Sequence, residues 1–389
     1  MTGRRQRTRA RAASGLAVAA LTLAAACGAA EEPTPAPRPP DAGPAVTSPD
    51  GSSPSAPDTS PAPVAPAPVR IAVAGDVHFE GALRARLADP ATALAPATAA
   101  LAEADVAVVN LETSVGTGGE PEAGKRFTFQ APPSAFAALA AAGVDVVSMA
   151  NNHALDLGRE PLPGTFAAVD AAAQADPPLA VVGLGRDARE AFRPAVVEVG
   201  GTVVAVLGAT TAGADPTADP TSQWAATARS SGTADALDPD RLLRAARAAS
   251  RTADVVVAYL HWGVQGERCP GAGQRRLAQD LVESGVDVVV GSHTHRLQGD
   301  GRLGDGYVAY GLGNFAWYTQ ASEATSVTGV LTLSVRPAAT PAGRARVTRA
   351  AWDPARIGPD GLPAPLSGAD ARRFETDRAA LRACAGLAG

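Results

Sequence analysis

Six short apolar runs each stop at a cluster of glycine, carboxylate, amide or histidine, and this repeated ending is what most limits the folds open to the chain. Residues 69–74 run into Gly75-Asp76-Val77-His78, 106–109 into Asn110-Leu111-Glu112, and 144–150 into Asn151-Asn152-His153. Further on, 255–260 runs into His261-Trp262-Gly263, 286–290 into Gly291-Ser292-His293-Thr294-His295, and 307–312 into Gly313-Asn314-Phe315. Runs this short and this apolar read as strands covered on both faces. Ala-rich helical stretches lie between them at 134–142, 162–175, 239–250 and 274–284. Strand alternating with helix predicts an α/β architecture. Residues 194–209, with the Gly200-Gly201 turn, read instead as an antiparallel hairpin, as do 328–335 and 344–352. The expected fold is a mixed pair of sheets flanked by helices. Open α/β sheets hold their ligands beyond the C-terminal ends of strands, so the six clusters are expected to converge along one edge.

The chain's five histidines, His78, His153, His261, His293 and His295, all lie in these clusters. Histidines that merely satisfy a core would be scattered. Asp76, Glu112 and Asn152 join them, and mixed imidazole and carboxylate donors suit Mn, Fe or Zn. No thiolate accompanies them, which argues against a structural cysteine-type zinc site. Eight donors are too many for one tetrahedral ion and suit two ions with a shared bridge. Other readings stay open at single positions. Asp76 and Asn152 are residue types that cap helices, and Glu112 is also compatible with a surface carboxylate.

The order Asp-x-His, an acid after a strand, Asn-His, a lone His, then Gly-x-His-x-His is similar to the calcineurin-like metallophosphoesterases. With Asn-Leu-Glu, Asn-Asn-His-Ala-Leu-Asp, His-Trp-Gly and Gly-Asn-Phe, the region from Arg70 to Phe315 resembles the CapA, or poly-γ-glutamate capsule synthesis, family. That resemblance implies a metallophosphatase-like mixed β-sandwich flanked by helices. It implies that Asp76, His78 and His295 bind one divalent transition metal and that Asn152, His261 and His293 bind a second. Glu112 would bridge the two, and His153 would stand beside them as acid or base. Asp156 orients a ligand histidine or caps a helix. Asn314 and Trp262 line a substrate cleft, or are a turn amide and a core ring. Arg126 meets an anionic substrate or is simply solvated.

The N-terminus carries Arg4, Arg5, Arg7, Arg9 and Arg11, then an apolar run over 13–26. That run is shorter than the ~18 residues of a membrane span, and with its basic start it reads as a secretory signal. Leu23-Ala24-Ala25-Ala26-Cys27-Gly28 resembles a bacterial lipobox, which would make Cys27 the lipidated first residue of an exported protein anchored on the extracytoplasmic face of the membrane. Residues 28–68, rich in Pro, Ala, Ser and Thr, cannot offset their ordering entropy and read as a tether. A CapA-like metallophosphatase-fold domain is expected over 69–337, with a C-terminal strand and helix over 338–389 packing on it, the helix at 369–383. With Cys27 lipidated, Cys269 and Cys384 remain as an even pair in an oxidising compartment, where a disulfide is expected.

A net charge of −5, with no basic run beyond the N-terminus, excludes a nucleic-acid footprint. Three functions remain open. One is hydrolysis of a phosphoester; another is chemistry at a γ-glutamyl or peptide bond, by hydrolysis, transfer or epimerisation. The third is a non-enzymatic accessory role, binding an anionic polymer for a membrane-bound envelope synthesis complex.

Overall fold

A computed structural model describes residues 67–95, 97–219, 224–318, 322–338 and 343–388. The expected signal segment, Cys27 and residues 28–66 of the expected tether lie outside the described residues. Among the described residues no helix is long and apolar enough to cross a membrane.

Strand Val69–Val77 is the hub of an eight-stranded sheet. On one side Val106–Leu111, Val146–Ser148 and Ala180–Val182 follow in parallel. On the other, Val327–Arg336, Arg346–Ile357 and Pro363–Pro365 run antiparallel in turn. A six-stranded sheet faces it, in the order Asp300–Leu303, Gly306–Ala309, Val288–Ser292, Val255–His261, Thr202–Thr210 and Ala195–Val199. Its middle strands are parallel and both edges antiparallel, the last edge being the hairpin read from Gly200-Gly201.

Alternation along each strand explains why the runs are apolar throughout. Ile71, Val73, Val106 and Val108 meet Val255, Val257 and Tyr259 between the sheets. Their neighbours face outward: Ala72, Ala74, Ala107 and Val109 pack in a second core with the helix residues Phe136 and Leu139. Val256, Ala258 and Leu260 pack beneath Leu242, Ala246, Leu277 and Leu281. Helix Asp240–Ala249 turns Leu242, Leu243, Ala246 and Ala249 inward at helical spacing. Each fully buried Val or Leu contributes roughly 1.5–3 kcal/mol, so the two-sided burial is what commits these runs to central strands.

Two expected strands differ in extent. The run over 144–150 is strand only at Val146–Ser148. The run over 307–312 is strand only in its first part, and the cluster after it joins the other sheet. Gly306–Ala309 pairs in the six-stranded sheet, whereas Asn314–Ala316 crosses over and pairs with the end of strand 69–77. Gly75 permits the crossing: a Cβ there would lie 1.8 Å from the Gly313 carbonyl oxygen, which accepts from the Asp76 N–H at 3.0 Å.

The C-terminal helix Gly368–Ala385 packs through Phe374 against Trp352 of strand 346–357. Cys269 and Cys384 form a disulfide with Cα atoms 5.7 Å apart, joining this helix to the loop that follows strand 255–261.

Candidate metal centre

The strand ends of both sheets meet at one buried carboxylate. Glu112 follows strand 106–111, is completely inaccessible to solvent, and neither of its oxygens has a hydrogen-bond partner. Burial and the neighbouring Asp76 push its carboxyl well above the usual range. An unpaired buried carboxylate is costly unless a cation meets it.

Four histidines surround it, and each has one ring nitrogen fixed by a neighbour. His261, the last residue of strand 255–261, sets Nδ1 3.0 Å from Ser292 Oγ and turns Nε2 to Glu112 Oε1 at 3.5 Å. His293 sets Nε2 2.9 Å from Asp215 Oδ2 and turns Nδ1 inward, 3.0 Å from His261 Nε2. His295 sets Nδ1 2.8 Å from Asn314 Oδ1 and Nε2 4.0 Å from Glu112 Oε1. His153 sets Nδ1 2.6 Å from Asp156 Oδ2 and Nε2 3.8 Å from the same Glu112 oxygen. For His293 and His153 the outer contact is a carboxylate oxygen, which takes the ring N–H and leaves the inner nitrogen as an acceptor, whereas the outer nitrogen of His261 meets both Ser292 Oγ and, at 3.3 Å, the Asn110 amide nitrogen.

Atoms that can bind a metal thus crowd one point, where His261 Nε2 meets His293 Nδ1, Asn152 Oδ1 at 2.6 Å and Glu112. A cation suits that point. Glu112, His261 and His293 form one group able to hold a metal ion, and Asp76, Glu112 and His295 form another. Glu112 belongs to both.

Charge distinguishes the histidines. Burial opposes ionisation of Asp76, yet His295 and His261 hold its carboxyl below the usual range. Burial opposes the charged form of His295, but Glu112 and Asp76 push it up to about 9. Burial takes His261 down to about 3 and His293 to about 4, so both are neutral donors at neutral pH.

His293 and His295 have φ of 87° and 55°, a left-handed region that residues with a Cβ rarely adopt. Such strain concentrates where geometry serves a site. Here it turns two histidines of one short loop to opposite sides of Glu112.

The remaining expected residues are placed as follows. His78 stands apart from both groups: the backbone N–H groups of Glu80 and Tyr318 approach its Nδ1 and Nε2 at 3.2 and 3.0 Å, and Phe129, Trp317 and Tyr318 enclose its ring. Its expected place beside Asp76 and His295 is therefore not what the structure presents. Asp156 holds His153 and also accepts the Phe129 N–H at 2.7 Å. Trp262 is a core ring rather than a cleft residue; it is fully buried and donates Nε1–H to the Tyr310 carbonyl at 2.8 Å. Asn314 works behind His295 and donates its amide to the Thr325 carbonyl at 3.1 Å. Arg126 is engaged by Asp219 at 2.7 Å, which ties its loop to the one that carries Asp215.

Sequence reasoning missed Asn110, Asn151, Asp215 and Lys125. Asn110 donates to Asp76 Oδ1 at 2.8 Å, and Asn151 donates to Asn110 Oδ1 at 3.1 Å. Both stand inside the strand-end clusters, where their position was the available signal. Asp215 follows strand 202–210 and the short 3-10 helix Ala212–Ala214, outside the six clusters read from the sequence. Lys125, whose side chain is buried, forms an ion pair with Asp156 and lies 4.2 Å over the Trp224 ring.

A family model described as bacterial capsule synthesis protein PGA_cap matches residues 70–319. The chain is 32% identical over 203 residues to capsule biosynthesis protein CapA of Bacillus anthracis, covering 50% of this chain and 46% of that one. It is 31% identical over 197 residues to a Mycobacterium tuberculosis protein named probable polyglutamine synthesis accessory protein, covering 49% and 50%. The chain thus spans about half the length of the curated relatives it matches. Among solved structures it is similar to the NAD nucleotidase of Haemophilus influenzae, with a TM-score of 0.41 and 14% identity over 80% of this chain and 62% of that one.

Proposed function

The chain belongs to the bacterial capsule synthesis protein family PGA_cap, and on that premise we propose that the groups around Glu112 form a two-metal centre of hydrolase type acting on a capsule or cell-envelope polymer. The observation that carries this reading is the Glu112 carboxylate, buried without a hydrogen-bond partner between two sets of acceptor atoms.

Asp76 and His295 would hold one ion, His261, His293 and Asn152 the other, with Glu112 shared. Two divalent transition metals, Mn, Fe or Zn, supply Lewis acidity and a water whose pKa falls from 15.7 toward about 7. The chain's own residues do the rest. Ser292 and Asn314 hold the rotamers of His261 and His295, and Asp215 holds the rotamer and tautomer of His293, the usual task of groups behind metal ligands. Asp156 keeps the His153 proton on Nδ1, so that Nε2 faces the reacting region and can exchange a proton with a substrate or leaving group. Phe129 stacks on His153 with ring centroids 4.3 Å apart and shields it from water.

The bond cleaved is a phosphoester or a γ-glutamyl or peptide bond. The names of the relatives, which speak of capsule and polyglutamine synthesis, favour the γ-glutamyl chain. The word accessory in one of them keeps a second reading in play, a polymer-binding factor of a synthesis complex. Export behind a signal ending at Cys27, with a lipid anchor there and residues 28–68 as tether, would bring the centre to such a polymer outside the membrane. The deciding experiment presents metal-loaded protein with phosphodiesters, phosphomonoesters and γ-glutamyl peptides. Metal-dependent turnover of one class supports the enzyme. Polymer binding without turnover of any class supports the accessory role.

A further inference from the structure

Beside the candidate centre lies a cavity of about 300 Å³ that none of the roles above uses. Its walls include Asn152, Thr210, Trp224, Thr233 and Asp235. Asn152 is shared with the centre, since its Oδ1 lies 2.6 Å from His261 Nε2. A molecule in the cavity is therefore next to the reacting region.

Among the described residues, Asp235 is the only charged side chain in this lining. Its neighbours are already committed. The Thr210 hydroxyl donates to the His261 carbonyl at 3.0 Å, and the Thr233 hydroxyl to the Trp224 carbonyl at 3.2 Å. Asp235 Oδ1 accepts the Leu237 N–H at 2.9 Å, and Oδ2 has no hydrogen-bond partner among the described residues. Burial pushes the carboxyl up, with no cation there to offset it. The nearby cation, Lys125, is held by Asp156.

The sheet sets the distance. Asp235 bridges Thr210, and Thr210 is the register partner of His261. The three side chains thus leave one face of the sheet in a row, with Asp235 two strand spacings, or roughly 10 Å, from His261. One aminoacyl residue, with contacts at both ends, covers that span.

We infer that this cavity is a subsite for a primary ammonium group, so that the centre acts on substrates whose reacting bond lies one residue from a free amine, as at the amino end of a γ-glutamyl chain. The inference deepens the proposed function and rests on it for what happens at the neighbouring centre. A lone carboxylate with a free oxygen matches an ammonium, whereas a phosphate or carboxylate would be repelled there.

The test uses the full-length, metal-loaded protein and calorimetric titration with γ-L-glutamyl-L-glutamate and its N-acetyl derivative. Metal uptake, measured first, judges the centre separately from the pocket. The wild type is expected to bind the free amine about 10- to 100-fold more tightly than the acetylated form, the range of a charge-assisted hydrogen bond. Asp235→Asn, which keeps the shape and the Leu237 contact, is expected to abolish that preference while retaining metal. Equal binding of the two peptides by the wild type, binding of neither, or a preference that survives Asp235→Asn overturns the inference. The wild-type comparison stands even if the variant fails to fold.

Discussion

His293 and Asp215 are 78 residues apart, yet His293 Nε2 lies 2.9 Å from Asp215 Oδ2 in a fully buried contact. The carboxylate is itself anchored, accepting the backbone N–H of Gln265 at 3.0 Å and of Thr217 at 2.7 Å. Asp215, which ends the short 3-10 helix Ala212–Ala214, thereby fixes which nitrogen of His293 faces Glu112. Asp215→Ala is expected to lower metal affinity about 10- to 100-fold, the usual cost of losing a group behind a ligand histidine. Competition titration against a chelator measures this, and unchanged affinity would show that the contact is structural only.

His153 differs from the other three inward-facing histidines. It belongs to neither group of metal-capable residues, and its Nε2 stands 3.8 Å from Glu112. His153→Ala is expected to keep its metal while turnover falls by ~10²–10⁴. His293→Ala is expected to lose metal and turnover together. Equal loss of metal in the two variants would make His153 a ligand.

Lys125 and Asp156 form an ion pair whose side chains are both wholly buried. Removing one partner leaves the other charge uncompensated, a loss of about 3–5 kcal/mol. Lys125→Met should show a loss of this size in urea unfolding. Lys125→Met combined with Asp156→Asn should cost less than the sum of the two single changes, and strict additivity would mean that the charges do not interact.

The disulfide between Cys269 and Cys384 closes a loop with a sequence separation of 115. Chain entropy assigns a closure of this length roughly 4–5 kcal/mol, before any strain is subtracted. Cys269→Ser with Cys384→Ser should therefore lower the unfolding free energy by up to that amount. Arg275 donates to the Cys384 carbonyl at 2.6 Å, so the helix end should stay docked in the native state. Stability equal to that of the oxidised wild type would show that the bridge does not constrain the unfolded chain.

Much of the site was legible because polar residues stand out at the ends of runs as apolar as 255–260. Glu112, Asn152, His261, His293 and His295 were found by that contrast, and strand order brought them together. His78 has the same sequence signal, yet it turns into a cage of aromatic rings built by Phe129, Trp317 and Tyr318. No local pattern reveals that cage, because its members come from loops far apart in sequence. Asp215 and Lys125 were hidden for the same reason. Each reaches the site from a loop whose path depends on tertiary contacts such as that of Arg126 with Asp219. Trp262 shows the converse: a residue beside His261 in sequence packs into the core.

The central claim is that Glu112 is shared by two metal ions, and elemental analysis of protein purified without chelator tests it most directly. The wild type should carry close to two transition-metal ions per chain, and folded Glu112→Ala should carry none, because both groups lose the donor they have in common. A wild type that holds no metal and takes none up when supplied, or a Glu112→Ala variant that keeps both ions, would contradict the account.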